Sequence, residues 1–178
     1  MICILGPSAA GKSSIERALE LHGYNRIISY TSRPIRCNEK KDIDYHFISE
    51  ELFLKRMNEE NFFSEATTYR DWHYGIAKKD CKNNAIAVIE PTGYRQLKKI
   101  KNLNITSFLI KSDERTRLIR MAKRGDDITE IFRRLFSDQG AFNGIEKEVD
   151  FIIENLDGKL DYAVDDILQI LQKIGGIK

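Results

Sequence analysis

Gly6-Pro7-Ser8-Ala9-Ala10-Gly11-Lys12-Ser13-Ser14 is the stretch whose reading decides the fold. It satisfies G-x-x-x-x-G-K-[ST], follows the apolar run Met1 to Leu5, and precedes a helical repeat of apolar residues at Ile15, Ala18 and Leu19. Such a pattern requires a strand, a tight turn with glycine at Gly6 and Gly11, and a helix whose N-terminus faces the turn. Backbone N–H groups of this loop converge on phosphate oxygens, Lys12 reaches the β and γ phosphates, and the Ser13 hydroxyl is offered to Mg²⁺. The candidate triphosphate-binding residues are therefore Gly6, Ser8, Ala9, Ala10, Gly11, Lys12, Ser13 and Ser14.

Working outward, the 178 residues suffice for one α/β domain with a substantial core. The 29 basic and 27 acidic residues nearly balance, so no bulk charge argues for nucleic acid or a membrane surface, and any basic function has to be local. Cys3, Cys37 and Cys81 are odd in number and lack C-x-x-C spacing, which argues against disulfides or a zinc site and for a reducing, cytoplasmic compartment. His22, His46 and His73 have no metal-ligand spacing. The chain is expected to lack a signal peptide, and no apolar run approaches the roughly 18 residues of a membrane span.

After a first helix ending near Gly23, residues 26 to 31 read as a second strand. Residues 32 to 83 change character: a polar, turn-rich stretch with Arg33 and Arg36, a short strand over 45 to 49, a helix over 50 to 58 and a strand over 62 to 69. This block reads as an insertion on a parent sheet. Ala85 to Glu90 is an apolar strand of the buried parallel type ending on a carboxylate. A helix over 93 to 101 and a strand over 105 to 110 follow, and the alternation predicts right-handed crossovers in a parallel sheet. Ligands of such sheets bind beyond the carboxyl ends of the strands, where the Gly6 loop and Glu90 both fall. Residues 111 to 138 carry Arg115, Arg117, Arg120, Lys123, Arg124, Arg133 and Arg134 on two helical stretches broken at Gly125. This hairpin fits cations that close over phosphates. A strand over 151 to 155 and a helix over 160 to 174 complete the chain.

The segments 6–14, Ser29 to Arg36, Asp44-Tyr45-His46-Phe47, Glu65-Ala66, Tyr74-Gly75, Arg120 to Gly125 and Arg133-Arg134-Leu135 resemble the guanylate kinase family in order and spacing, over residues 2 to 170. The resemblance implies a phosphate-loop, three-layer α/β/α core with a parallel sheet (1–31, 84–111, 141–178), a monophosphate-binding insertion (32–83) and a helical lid (112–140). It also implies transfer of a phosphoryl group from ATP·Mg²⁺ to GMP or dGMP.

By the same resemblance Arg33, Arg36, Tyr45 and Tyr74 hold the acceptor phosphate, through two guanidinium forks and two neutral phenol donors. Glu65 reads the guanine edge, Gly75 lies beside it, and Ser29 and Glu90 contact the guanosine. Lys12, Arg36, Arg124 and Arg134 are the catalytic cations, Arg120 lines the donor side and Asn155 touches the donor adenine. Four positions depart from the family pattern. Ile76 stands where a hydroxyl donor is usual, Val88 replaces an acid, Asn38 replaces a turn glycine, and the lid is one residue short before Arg134. Two alternatives use the same fold. One is a kinase for another monophosphate or a ribose bisphosphate, and the other is a non-catalytic phosphopeptide-binding module, against which the complete loop speaks. Nothing in the sequence sets the oligomeric state, and a homodimer is one arrangement open to it.

Overall fold

The apolar run at the start of the chain forms β1 (Ile2–Leu5), all four residues of which are buried. The computed structural model describes residues 1–36, 39–59, 62–69 and 71–175. β1 lies in the middle of a sheet with β2 (Asn25–Arg26), β7 (Ala85–Val88), β8 (Thr106–Lys111) and β9 (Phe151–Glu154), in the order β2-β7-β1-β8-β9. Every pairing in it is parallel. Both faces are covered, as a parallel sheet requires. Ile2 and Ile4 pack with residues of α1 (Lys12–Leu21) and α6 (Leu160–Lys173), while Cys3 and Leu5 join Tyr94 and Leu97 of α3 (Pro91–Leu97) on the other face. This is a three-layer α/β/α arrangement.

A second, mixed sheet contains β3 (Tyr30–Thr31), β4 (His46–Phe47), β5 (Phe63–Tyr69) and β6 (Trp72–Ala77), in the order β4-β3-β6-β5. It is backed by α2 (Glu50–Asn58), whose Phe53 is fully buried and stacks on Phe63 at 4.8 Å between ring centroids. Between β8 and β9 stand α4 (Glu114–Lys123) and α5 (Ile128–Ala141), each begun by an aspartate cap, Asp113 and Asp127, and separated at Gly125 with φ +80°.

The single strand expected over 26 to 31 is divided between the two sheets. Arg26 pairs with Ile86, and the Ile27 N–H reaches the Ile86 carbonyl at 2.8 Å. The chain then leaves, and Tyr30 and Thr31 pair with Gly75 and Tyr74. An apolar run cannot mark this transfer, because both halves bury side chains and only the partner changes. The helix expected over 93 to 101 starts earlier, at Pro91, whose fixed φ and missing N–H suit a first helical position. Cys3 and Cys81 are free thiols, while Cys37 and Asn38 lie outside the described residues. Among the described residues no helix is long and apolar enough to cross a membrane.

Candidate active site

The phosphate loop leaves the carboxyl end of β1 in a path that only its glycines allow. A Cβ on Gly6 would lie 2.5 Å from the Ile110 carbonyl oxygen, and one on Gly11, where φ is +100°, would lie 2.1 Å from Asn155 Nδ2. The Asn155 amide is turned to the loop, donating to the Ala10 carbonyl at 2.8 Å. Ala10 itself is fully buried. Lys12 folds over the loop, its ammonium donating to the Gly6 and Pro7 carbonyls. Arg120 staples α4 to the same loop through the Ala9 carbonyl at 3.3 Å and to the end of β9 through the Asn155 carbonyl at 3.3 Å. Gly11, Lys12, Ser13, Ser14, Arg120 and Arg124 line one cavity on the outer side of the loop.

On the inner side a second cavity brings together Ser8, Ala9, Lys12 and Ser13 with Ser29, Arg33, Arg36, Tyr45, Glu65, Tyr74, Glu90, Arg124 and Arg134. These residues come from the loop, both sheets and the α4–α5 hairpin, so the fold unites positions up to 126 residues apart in sequence. Gly75 is not in that wall. It pairs with Ala66 and Tyr30, and the space a Cβ would take is filled by the Phe63 ring 2.9 Å away. Ile76 is packed in the core, so its side chain is absent from the wall as well.

Four guanidinium groups dominate the cavity. Arg33 is 4% exposed and grips Glu39 through two parallel bonds of 2.9 and 2.8 Å. This two-pronged pairing, with the Glu39 carboxylate also accepting from the Arg36 N–H at 2.9 Å, fixes the plane of the Arg33 guanidinium. Burial first, and then the cations of Arg33, Arg134 and Arg124, push the Arg36 guanidinium below its ordinary pKa, with Glu39 opposing. Arg134 is held by Glu130 at 2.7 Å and Asp126 at 2.6 Å, and Arg124 shares that aspartate. Such convergence of cations attracts a polyanion. Burial pushes the phenols of Tyr45 and Tyr74 up, which keeps them neutral donors.

Glu65 is the acidic end of the cavity. It is 5% exposed, its Oε2 has no hydrogen-bond partner, and burial pushes its pKa up to about 8 against the Ile76 backbone N–H, which holds the carboxylate. Its neighbours come from α3. Gln96 bonds both the N–H and the carbonyl of Ala66 at 3.1 Å, and a Cβ on Gly93 would lie 2.5 Å from Glu65 Oε2. Gly93→Ala therefore has to displace the carboxylate. The expected result is a roughly tenfold loss of affinity for the ligand that Glu65 pairs with, part of the 1.5–3 kcal/mol of a charged hydrogen bond, and no comparable loss for ATP. Calorimetric titration with each ligand checks this.

Sequence reasoning missed Thr67 and Tyr69, which follow Glu65 at alternate positions of β5 and line the same cavity. It also left Asp138 unnamed and read Arg117 only as one of the hairpin cations, although both are buried beside Ser8. The helical spacing held the signal: Ile131, Arg134, Leu135 and Asp138 form one buried stripe of α5.

A phosphate loop at the carboxyl edge of a parallel sheet, facing an arginine-lined cavity with a helical hairpin beside it, defines the phosphate-loop kinase class. Comparison with known proteins narrows this. The guanylate kinase family model matches residues 1–174. The guanylate kinase of Nitrosospira multiformis is 29% identical over 177 residues, covering 95% of this chain and 83% of that protein. The guanylate kinase of Clostridium perfringens strain 13 is 30% identical over 187 residues, covering 99% and 81%. The crystal structure of guanylate kinase from Anaplasma phagocytophilum superimposes with a TM-score of 0.72 at 20% identity, covering 98% of this chain and 85% of that one. The chain belongs to the guanylate kinase family, whose members are ATP-dependent nucleoside monophosphate kinases.

Proposed function

We propose that the protein transfers the γ-phosphoryl group of ATP to GMP or dGMP, giving ADP and the guanosine diphosphate. The observation that carries the reading is the meeting, in one cavity, of Lys12, the arginines 33, 36, 124 and 134, and the buried carboxylate of Glu65. In this account the parallel-sheet core binds the donor, the second sheet holds the acceptor, and α4 with α5 is the lid. Arg33, Arg36, Tyr45 and Tyr74 bind the acceptor phosphate. Glu65, as the anion, accepts from N1–H and the exocyclic amine of guanine, a pair of donors adenine does not offer, so the wrong base leaves the buried acid without the bonds that hold it ionised. Ser29 and Glu90 border the guanosine. Asn155 supports the loop from behind.

An acceptor phosphate oxygen forms its bond to the γ phosphorus as the bond to the β–γ bridging oxygen breaks, and ADP leaves. The acceptor is already an anion, so no general base is required. Lys12, Arg124 and Arg134 stabilise charge on the transferring group, and the loop and arginine forks align the two reactants. Among the described residues no group of three or more His, Cys, Asp or Glu side chains could hold a metal by itself. The Ser13 hydroxyl is an oxygen donor of the kind Mg²⁺ takes; Ser13 would hold the ion beside the triphosphate, and the ion would supply charge neutralisation there. Cytoplasmic residence, where ATP and monophosphates are abundant, accompanies this reading. The test is to supply ATP labelled at the γ phosphorus with GMP and separate the products. Label in GDP is expected; label released only as inorganic phosphate, with GMP intact, contradicts the proposal.

A further inference from the structure

Asp138 lies in the last third of α5, and its side chain is 3% exposed. Its carboxylate gathers donors from three separate parts of the molecule. The Ser8 N–H reaches Oδ2 at 2.8 Å and the Ser8 hydroxyl reaches Oδ1 at 3.3 Å, both from the phosphate loop. The Tyr69 hydroxyl, from the end of β5, donates to Oδ1 at 2.9 Å, and Arg117 of α4 donates to Oδ2 at 3.2 Å. Arg117 also donates to the Ser8 carbonyl at 3.5 Å, so Ser8 is held on both its N–H and its C=O.

A buried ion pair of this kind is weak evidence for stability, because an apolar pair of similar size would serve the core as well. Its geometry instead fixes a register. Glu65, Thr67 and Tyr69 occupy alternate positions of β5 and line the acceptor side of the cavity. A ligand that engages Glu65 pulls on the strand whose far end holds Asp138, and Asp138 holds the loop that receives the triphosphate. We propose that Asp138 is a positioning residue that couples the two substrate sites, so that acceptor monophosphate and donor triphosphate bind with positive cooperativity through Tyr69, Asp138 and Ser8. The inference rests on the assignment of acceptor and donor sides made above. Coupling is reciprocal: whatever factor GMP confers on triphosphate affinity, the triphosphate confers on GMP.

The test is calorimetric titration of the intact protein with an ATP analogue whose β–γ bridge is an imido group, with Mg²⁺, in the absence and presence of saturating GMP. In the wild-type chain GMP should tighten the analogue about tenfold, a typical coupling between sites. Tyr69→Phe removes one hydroxyl and keeps the ring, and Asp138→Asn keeps the side-chain shape; in both the factor should fall below about twofold, with melting temperature recorded to show that each is folded. A purely structural role would lower both affinities and leave their ratio unchanged, and that outcome overturns the proposal. So does an uncoupled wild type, or a Tyr69→Phe variant with full coupling. If GMP gives no binding heat at all, the acceptor assignment falls and this inference falls with it. A normal GMP isotherm with unchanged coupling in the variants overturns the inference alone.

Discussion

Lys12→Ala should lower kcat/KM for ADP release with GMP by about 10³-fold, the effect of removing one preorganised charge from a transferring phosphoryl group. Steady-state kinetics at saturating acceptor will show the loss in kcat. The ammonium donates to the Gly6 and Pro7 carbonyls and its site is partly open, so the variant should remain folded. A residual rate near wild type would place the transfer elsewhere in the molecule. In the proposed mechanism the loss belongs to the chemical step, since Lys12 is assigned there to the charge on the transferring γ phosphoryl group.

The second large effect belongs to Glu65. Glu65→Gln should reduce kcat/KM for GMP by about 100-fold, since the amide offers a donor where the guanine amine also donates, and a hydrogen bond to a charged group contributes about 1.5–3 kcal/mol. It should also remove a pH dependence. Burial raises the free carboxyl pKa to about 8, so the group is mainly protonated at pH 7, while guanine requires the anion. The wild-type kcat/KM for GMP should therefore climb with pH and level off above about 8, and the variant should lose that limb. Stability runs the opposite way. A carboxyl whose folded pKa is raised favours the fold when protonated, so its contribution is complete below the usual value of 4.5 and is lost as pH rises through about 8. A pH–rate profile of both proteins decides the matter. A flat wild-type profile would show that Glu65 does not read the base.

Much of the core was legible because its signals are local. The loop at 6–14 carries its own glycines, and the strands at 85–88, 106–111 and 151–154 are short apolar runs between turn signals. The arginines and tyrosines proposed for the acceptor were nameable only through the order of several motifs, since Arg33 or Tyr45 alone reads as an ordinary surface residue or packing aromatic. Two things were not legible. The change of sheet between Ile27 and Tyr30 leaves no mark in hydropathy, because both sides of the change are buried. Arg117 reads from sequence as one cation of an arginine-rich hairpin, and its pairing with Asp138 beside Ser8, 130 residues from Asp138, shows only in the fold. Ile76 teaches the converse. Its side chain supplies no hydroxyl donor and packs in the core, while its backbone N–H, which no motif marks, steadies the Glu65 carboxylate.

The central claim is that one cavity passes a phosphoryl group from ATP to a guanine monophosphate. The most direct measurement is ADP release from ATP·Mg²⁺ with GMP, dGMP, AMP, CMP and UMP in turn, run in parallel on the wild-type chain and Lys12→Ala. The account predicts release with GMP and dGMP, rates at least about 100-fold lower with the other three, and loss of release in Lys12→Ala. Equal turnover of all five monophosphates, or release that survives in Lys12→Ala, would contradict it.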